Sequence, residues 1–189
     1  MPDSLAPEFV VPRVRGTFGL DYRYVESTPS TQLLLPPDAE EGAVVAAGEQ
    51  TAGRGRLGRT WDAPAGTSLL CSVQLRPTVA PDRLPELTSV VAHACAEAIK
   101  AVTGVDTKLK FPNDVLVGGR KVAGILAEAR DGRVVAGIGV NVNVAEEELP
   151  SGLGTPATSL LVETGREVDR AELLVELLDR LEQRYRAWL

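Results

Sequence analysis

Glycine and arginine alternate in one short stretch, Gly53-Arg54-Gly55-Arg56-Leu57-Gly58-Arg59, three residues after Gln50. Glycine permits backbone conformations that bring amide N–H groups close to an anion. The planar guanidinium group of arginine pairs with phosphate and carboxylate oxygens through two parallel hydrogen bonds. The stretch therefore predicts an anion-binding loop, most simply for a nucleotide phosphate. The alternative is a solvated basic loop without a ligand.

The same glycines match the pattern Gly-x-Gly-x-x-Gly of dinucleotide-binding domains, but the residues that follow do not. That pattern requires a helix directly after the glycines. Here the chain continues as Arg59-Thr60-Trp61-Asp62-Ala63-Pro64, which is not a helix start. A Walker phosphate-binding loop is excluded because the sequence contains no Gly-Lys-Ser/Thr.

Two lysine-containing segments follow. Lys110-Phe111-Pro112-Asn113-Asp114 places an ammonium, an amide and a carboxylate around a proline, at the rim of a cleft or simply in an Asx turn. Lys121 heads an apolar strand in which Gly124 leaves room for something to approach closely. We expect the Lys121 ammonium to reach a pocket; the alternative is a surface lysine that blocks a sheet edge.

A third polar segment runs through Gly137-Ile138-Gly139-Val140-Asn141-Val142-Asn143. Asn141 and Asn143 share one face of a strand by its period of two. Paired amides on one face can bind the edge of a base or ribose, or they can be ordinary polar residues beside a turn.

Catalysis by cysteine or histidine and a structural zinc or haem site are disfavoured. Cys71, Cys95 and His93 do not form any ligand spacing typical of zinc or haem. His93 lies in an apolar helical stretch and is most simply a packing or surface residue, and the cysteines are most simply buried small residues in a reducing compartment.

The elements that must position these residues are strands, one long helix, a meander and a final helix. Apolar residues at three- and four-residue intervals predict helices over Leu84–Val102 and after Asp169, which resembles a helix N-cap. Gly118-Gly119 and Asp131-Gly132 are hairpin turn signals. The predicted strands are Tyr22–Val25, Ala43–Ala47, Ser68–Leu75, Thr107–Phe111, Asp114–Val117, Lys121–Ala129 and Val134–Val142, with a short helix near Ser30–Leu35.

This order predicts an α+β fold with a mixed, largely antiparallel sheet and helices packed on one face. We expect residues 1–189 to form a single domain, with the Pro-rich residues 1–15 as a loosely ordered arm. The chain has 189 residues, 44% hydrophobic and 24% charged, which excludes a disordered or collagen-like protein.

The net charge of −6 disfavours general binding of nucleic acid or anionic membranes. No apolar run is long enough to span a membrane, and the N-terminus lacks the pattern of a secretory signal. A cytoplasmic location is therefore the default expectation.

Taken together, these segments resemble the catalytic domain of biotin protein ligases (biotin–[acetyl-CoA-carboxylase] ligases). The resemblance covers roughly residues 22–189 and implies a fold similar to class II aminoacyl-tRNA synthetases and biotin synthetases. The matching stretches, in the order and at about the spacing of the family, are Glu26-Ser27-Thr28, Gly53 to Arg59, Lys110 to Asp114, Arg120 to Leu126 and Gly137 to Asn141.

The resemblance implies an ATP-dependent ligase that joins biotin to AMP with Mg²⁺ and transfers biotin from biotinyl-5′-AMP to a lysine of a biotin carboxyl carrier protein. Lys121 and Arg56 would be catalytic. The implied biotin-binding residues are Ser27, Thr28, Pro29, Gln50, Gly53, Arg54, Gly55, Arg56, Lys121, Gly124 and Leu126. The implied ATP-binding residues are Arg54, Arg56, Arg59, Trp61, Asn113, Lys121 and Asn141, with Asp114 as the metal ligand.

The sequence departs from the family at two positions, since Pro29 replaces the usual Asn and Phe111 the usual Trp. Family members usually carry a small C-terminal β domain beyond the position of Leu189. Because about 25 residues precede Ser27, we expect neither a helix-turn-helix domain nor operator binding.

Three alternatives remain open at this point. The first is a lipoate or octanoate ligase or transferase on the same fold. The second is a non-catalytic module that binds biotin, and the third is an RNA-binding domain, which the net charge disfavours. Both a monomer and a homodimer are compatible with the sequence.

Overall fold

The computed structural model describes residues 4–152 and 154–189. The strands are β1 (Tyr22–Thr28), β2 (Val44–Gln50), β3 (Ser68–Leu75), β4 (Lys108–Lys110), β5 (Asp114–Val117), β6 (Arg120–Arg130) and β7 (Arg133–Asn141). The helices are α1 (Pro7–Val10), α2 (Glu86–Thr103), α3 (Leu160–Thr164) and α4 (Arg170–Trp188).

The seven strands form one sheet in the order β1-β2-β3-β7-β6-β5-β4. The pair β1–β2 is parallel, and every other neighbouring pair is antiparallel. The predicted mixed, largely antiparallel sheet is therefore confirmed. The parallel pair was not anticipated, because its crossover contains only a 3₁₀ turn at Thr31–Leu33 and irregular chain instead of an α-helix.

Two long helices cover one face of the sheet. Helix α2 packs against β4, β5 and β6, and α4 packs against α2 and β3. Along β7 the alternate residues Val134, Ala136, Ile138 and Val140 are buried in the core on this side. The residues between them include Gly137 and Gly139, so the middle of the opposite face of β7 carries no side chains.

The predicted helix ends are confirmed. Gly104 closes α2 in the left-handed conformation, with φ of 77°, and its N–H donates to the Lys100 carbonyl. At the start of α4 the Asp169 carboxylate accepts a hydrogen bond from the Ala171 N–H at 2.8 Å. In both cases a local signal that satisfies otherwise unpaired backbone groups sets the boundary.

The prediction of a loosely ordered arm is wrong for the part of residues 1–15 that the structure describes. Leu5 and Val10 are fully buried, and α1 contacts β1 and α4. The Tyr22 hydroxyl donates to the Leu5 carbonyl at 2.6 Å. Two apolar anchors without a regular period hold this segment, and such anchors give no pattern from which packing could be recognised.

Helix α3 was also missed. It has five residues, which is too short for a periodic pattern, and the Ser159 hydroxyl caps it by accepting from the Val162 N–H at 3.1 Å. Among the described residues, none of the helices combines the length and apolar character needed to cross a membrane.

The Glu182 carboxylate ties α4 to the chain that leads into β1. It accepts hydrogen bonds from the Thr17 N–H at 2.7 Å, the Thr17 hydroxyl at 2.8 Å and the Phe18 N–H at 3.1 Å. A side chain at Gly16 would collide with it, since a Cβ there would lie 2.0 Å from Oε2 of Glu182. Burial by itself raises the pKa of Glu182, but hydrogen bonds from Arg186, Phe18 and Thr17 outweigh burial and lower this pKa to about 2.

We expect Glu182→Gln to destabilise the protein at neutral pH and much less in acid. The folded-state pKa lies below the ordinary value of 4.5, so the carboxylate stabilises the fold above pH 4.5, and this contribution is lost as the pH falls towards 2. Thermal unfolding should show a Tm roughly 3 °C or more below wild type at neutral pH. The difference should shrink between pH 4.5 and 2, and exposed Glu147→Gln is the control. A Tm difference that does not vary with pH would contradict this role.

Candidate active site

A cavity lies on the face of the sheet opposite the long helices. It is bounded by β6, β7, the turn that carries Ser30-Thr31-Gln32, and the loop of residues 53–61, which we call the arginine loop. Its lining residues are Ser30, Thr31, Gln32, Gln50, Arg54, Gly55, Arg56, Trp61, Cys71, Asn113, Lys121, Gly124, Ile125, Leu126, Gly137, Ile138 and Gly139.

Backbone hydrogen bonds close the arginine loop on itself. The Trp61 N–H donates to the Gly53 carbonyl at 2.9 Å, and the Gly55 N–H donates to the Arg59 carbonyl at 2.7 Å. Gly53 is required at the base of the loop, since a Cβ there would lie 2.2 Å from the Trp61 carbonyl oxygen. The arginine loop is therefore a small hairpin closed by its own backbone.

Glycines in the sheet form the floor of the cavity. Gly124 of β6 and Gly139 of β7 are cross-strand partners, and the Trp61 indole lies over both. A Cβ at Gly139 would approach the indole to 2.6 Å, and one at Gly124 would approach it to 2.9 Å. The missing side chains thus allow a flat group to lie directly on the strands.

An irregularity in the sheet positions Lys121. The pairing of β5 with β6 shifts at Val115/Leu116, so Ala123 pairs with Val115 and Lys121 pairs with Leu116. The Lys121 N–H donates to the Pro156 carbonyl at 2.7 Å, and the Lys121 carbonyl accepts from the Thr158 N–H at 2.8 Å. These two backbone hydrogen bonds with residues 156 and 158 therefore fix Lys121 at the cavity.

The Lys121 ammonium is paired inside the cavity. Its Nζ lies 2.8 Å from Oδ1 of Asp114, and the two side chains are 22% and 15% exposed. The same Nζ lies 5.5 Å from the centre of the Trp61 ring, within range of a cation–π interaction. The Asp114 carboxylate offsets the cost of removing the ammonium from water.

Two arginines of the arginine loop also line the cavity, and each is held by a partner. Nη1 of Arg56 donates to Oδ1 of Asn113 at 3.1 Å, which joins the arginine loop to the segment that follows β4. Arg54 forms a two-point pair with Glu128, at 3.1 and 2.9 Å. The sequence prediction that the arginine loop and Lys121 converge on one pocket is therefore confirmed.

Nine of the residues implied by the resemblance line this cavity. They are Gln50, Arg54, Gly55, Arg56, Trp61, Asn113, Lys121, Gly124 and Leu126. Asp114 contributes through its pair with Lys121. Their roles towards a ligand stay predictions.

The structure does not bring Ser27, Thr28 and Pro29 to the cavity. Ser27 and Pro29 are exposed, and the Ser27 hydroxyl donates to Glu49 at 3.0 Å. Thr28 is buried at the end of β1 without lining the cavity. Ser27 and Thr28 still belong to the edge strand β1, and the chain crosses towards the cavity only after Pro29.

Ser30, Thr31 and Gln32 occupy the position that was assigned to the earlier Ser-Thr-Pro. Oε1 of Gln50 accepts from the Thr31 N–H at 2.8 Å, and the Thr31 and Ser72 hydroxyls lie 2.8 Å apart. The Gln32 amide donates to the Leu126 carbonyl at 2.6 Å and covers Gly137. The missed signal was a second Ser-Thr pair three residues after the first.

Three other assigned residues also lie outside the cavity lining. Gly53 shapes the base of the arginine loop, and Arg59 lines a neighbouring cavity together with Leu126 and Glu128. Asn141 is buried and donates to the Thr158 carbonyl at 2.9 Å. Asn141 shares a face with Gly139, but residues 156–158 cover the strand there, so its amide supports the segment that holds Lys121.

Neither thiol nor imidazole chemistry is available at the cavity. Burial raises the pKa of the Cys71 thiol far above its ordinary range, and the nearby Cys95 raises it further, so the thiol stays protonated. His93 is exposed on α2, where Nδ1 lies 2.8 Å from the Ser89 carbonyl oxygen. Both observations agree with the structural roles expected from the sequence.

Comparison with known proteins identifies the family. Residues 24–144 match the model of the biotin/lipoate A/B protein ligase family. The chain is 40% identical over 171 residues to the bifunctional ligase/repressor BirA of Bacillus spizizenii, covering 87% of this chain and 53% of that protein. It is 41% identical over 152 residues to the biotin–[acetyl-CoA-carboxylase] ligase of Mycobacterium tuberculosis, covering 78% and 56%. The chain thus spans about half the length of these relatives.

Solved structures agree with the fold. Biotin protein ligase from Aquifex aeolicus in complex with biotin and ATP superposes with a TM-score of 0.79 at 34% identity, over 88% of this chain and 70% of that one. This likeness confirms the α+β fold of biotin ligases that the resemblance implied. The chain belongs to the biotin/lipoate A/B protein ligase family.

Proposed function

We propose that this chain is the catalytic part of a biotin protein ligase, which activates biotin with ATP and transfers it to a carrier protein. The observation that carries the proposal is the convergence of Lys121 and Arg56 on a cavity with a glycine floor. Positive charge at one end and a floor without strand side chains are what a carboxylate needs when it must approach a triphosphate.

The two ends of the cavity suit the two ends of biotin. Thr31 and Gln50 provide hydroxyl and amide groups at one end, which can pair with the ureido ring. Lys121, Arg56 and Asn113 lie at the other end, where the biotin carboxylate and the phosphates of ATP would meet. This assignment replaces Ser27 and Thr28 with Ser30 and Thr31 as the first polar contacts.

In the first step, a carboxylate oxygen of biotin attacks the α-phosphorus of ATP. The bond from that phosphorus to the bridging oxygen breaks, and pyrophosphate leaves with the bonding electrons. Lys121 and Arg56 offset the repulsion between the approaching carboxylate and the phosphate oxygens. Because Asp114 already pairs with Lys121, the ammonium is held in place before the substrates arrive.

Mg²⁺ would add positive charge to the phosphate oxygens. Among the described residues no group of three or more His, Cys, Asp or Glu side chains could hold a metal by itself. The donor set fits an ion that enters with the triphosphate and takes at most one protein carboxylate, which agrees with the usual binding of Mg²⁺. Asp114 is the candidate for that contact.

In the second step, the neutral amine of an acceptor lysine attacks the acyl carbon of biotinyl-5′-AMP. The bond between that carbon and the phosphate oxygen breaks, AMP leaves, and the amine loses a proton to solvent. Before this step the arginine loop must exclude water, because water would hydrolyse the anhydride. A biotin carboxyl carrier protein is the proposed acceptor.

The family also contains lipoate ligases, which bind a less polar ring. The hydroxyl and amide groups of Thr31 and Gln50 favour the ureido ring of biotin over a dithiolane. Calorimetric titration should therefore detect biotin and not lipoate, and the reverse result would assign the chain to the lipoate branch.

We expect Lys121→Ala to lower biotin-dependent exchange of labelled pyrophosphate into ATP by about 100-fold, because one preorganised positive group at the reacting phosphate is lost. The matched control is Lys108→Ala, which removes an exposed lysine on the edge strand β4. Circular dichroism should show that both variants fold. Unchanged exchange in Lys121→Ala would show that Lys121 is not catalytic. Wild-type protein that shows no exchange would contradict the proposed function.

We expect biotin to change the fluorescence of Trp61. The cavity holds about 50 Å³ of open space, which is room for only a few water molecules, so the indole over Gly124 and Gly139 must move when biotin enters. Titration with biotin should change the emission of wild type and of Trp188→Phe, and the change should disappear in Trp61→Phe. A change that instead disappears in Trp188→Phe would show that the signal does not come from the cavity.

A further inference from the structure

The two most exposed large apolar side chains among the described residues are Leu57 and Phe111, at 84% and 82%. Neither belongs to the set of side chains that line the cavity. Leu57 lies at the tip of the arginine loop, and Phe111 lies between β4 and β5. Single exposed apolar residues need no explanation, but two at one location do.

Both residues border the mouth of the cavity. The hydrogen bond from Arg56 to Asn113 joins the segment that carries Leu57 to the segment that carries Phe111. Arg56 and Asn113 themselves line the cavity. Anything that reaches into the cavity between these segments therefore passes two uncovered apolar side chains.

Leu57 is also held in an unfavourable backbone conformation. Its φ is +60° and its ψ is 36°, a left-handed region that leucine rarely adopts. Packing of the leucine side chain does not offset this strain here, because the side chain is almost entirely exposed. Strain without compensating packing points to a contact that forms with another molecule.

The surroundings of this pair are basic in an otherwise acidic protein. Arg59 and Lys110 are exposed close to Leu57 and Phe111 along the chain, and Arg56 lies between the two segments, whereas the whole chain has a net charge of −6. An acidic surface is therefore the complement of this rim, and a second copy of this chain would bring the same arginines against each other.

We propose that Leu57 and Phe111 form the docking contact for the acceptor carrier domain, through a surface of that domain that is apolar beside the acceptor lysine and acidic around it. The inference rests on the proposed function and identifies the surface used in its second step. Apolar contact on both sides of the lysine excludes water from the mouth and favours the neutral amine, which is the form that attacks the acyl carbon. The acyl group moves to the amine, AMP leaves, and one proton goes to solvent.

The test separates acceptor binding from the chemistry inside the cavity. Leu57→Asn removes the apolar group and keeps a residue that tolerates positive φ, and Phe111→Gln removes the aromatic ring. Each variant is assayed with a purified biotin carboxyl carrier domain, and separately with hydroxylamine, a small nucleophile that needs no docking surface. Leu20→Asn is the matched control, since Leu20 is 61% exposed in the turn before β1, next to a glycine that contacts α4.

We expect the KM for the carrier domain to rise about fivefold or more in each variant, while the rate with hydroxylamine and the control variant stay within about twofold of wild type. A KM that stays within about twofold in both variants, with active wild type, would overturn the docking proposal. An equal loss with hydroxylamine would overturn it too, because the residues would then act on the first step. Dimers of wild type that become monomers without a change in KM would assign the surface to self-association. Wild type that forms no biotin hydroxamate would instead contradict the proposed function.

Discussion

A charged ammonium must be kept in place inside a half-buried cavity, and the site depends on this requirement. Removing an ammonium from water is costly unless an opposite charge lies beside it. Asp114 provides that charge, and backbone hydrogen bonds with residues 156 and 158 hold the strand in place. Strand β5 and residues 156–158, which are distant from each other in the sequence, therefore combine to hold Nζ of Lys121 beside the arginine loop.

The second requirement is close approach to the sheet. Gly124, Gly137 and Gly139 remove the side chains from one face of two central strands, while their neighbours fill the helix-side core. Glycine weakens a strand interior, and the apolar residues on the other face compensate for this loss. One face of these strands thus stabilises the core, and the other face leaves room for a ligand.

Sequence patterns predicted those features that local chemistry decides. The glycine turns predicted the antiparallel meander, and the spacing of apolar residues predicted α2 and α4. The arginine loop and Lys121 predicted the cavity. Helix α3 was missed because its five residues are too few for a periodic pattern. The parallel β1–β2 pair and the packing of residues 4–15 were missed because non-local contacts decide them. Asn141 and Ser27 show the same limit, since strand alternation cannot reveal that another segment covers the strand or that the chain has not yet left the edge.

The position of the arginine loop has a consequence for how this protein can change. Leu57 to Arg59 at its tip contribute nothing to the buried core beneath the helices, and the loop is closed by its own backbone hydrogen bonds. Substitutions at the tip should therefore change the free energy of unfolding only a little. A scaffold arranged in this way can change what the tip of the loop contacts over evolutionary time, while its thermodynamic stability remains with the buried residues.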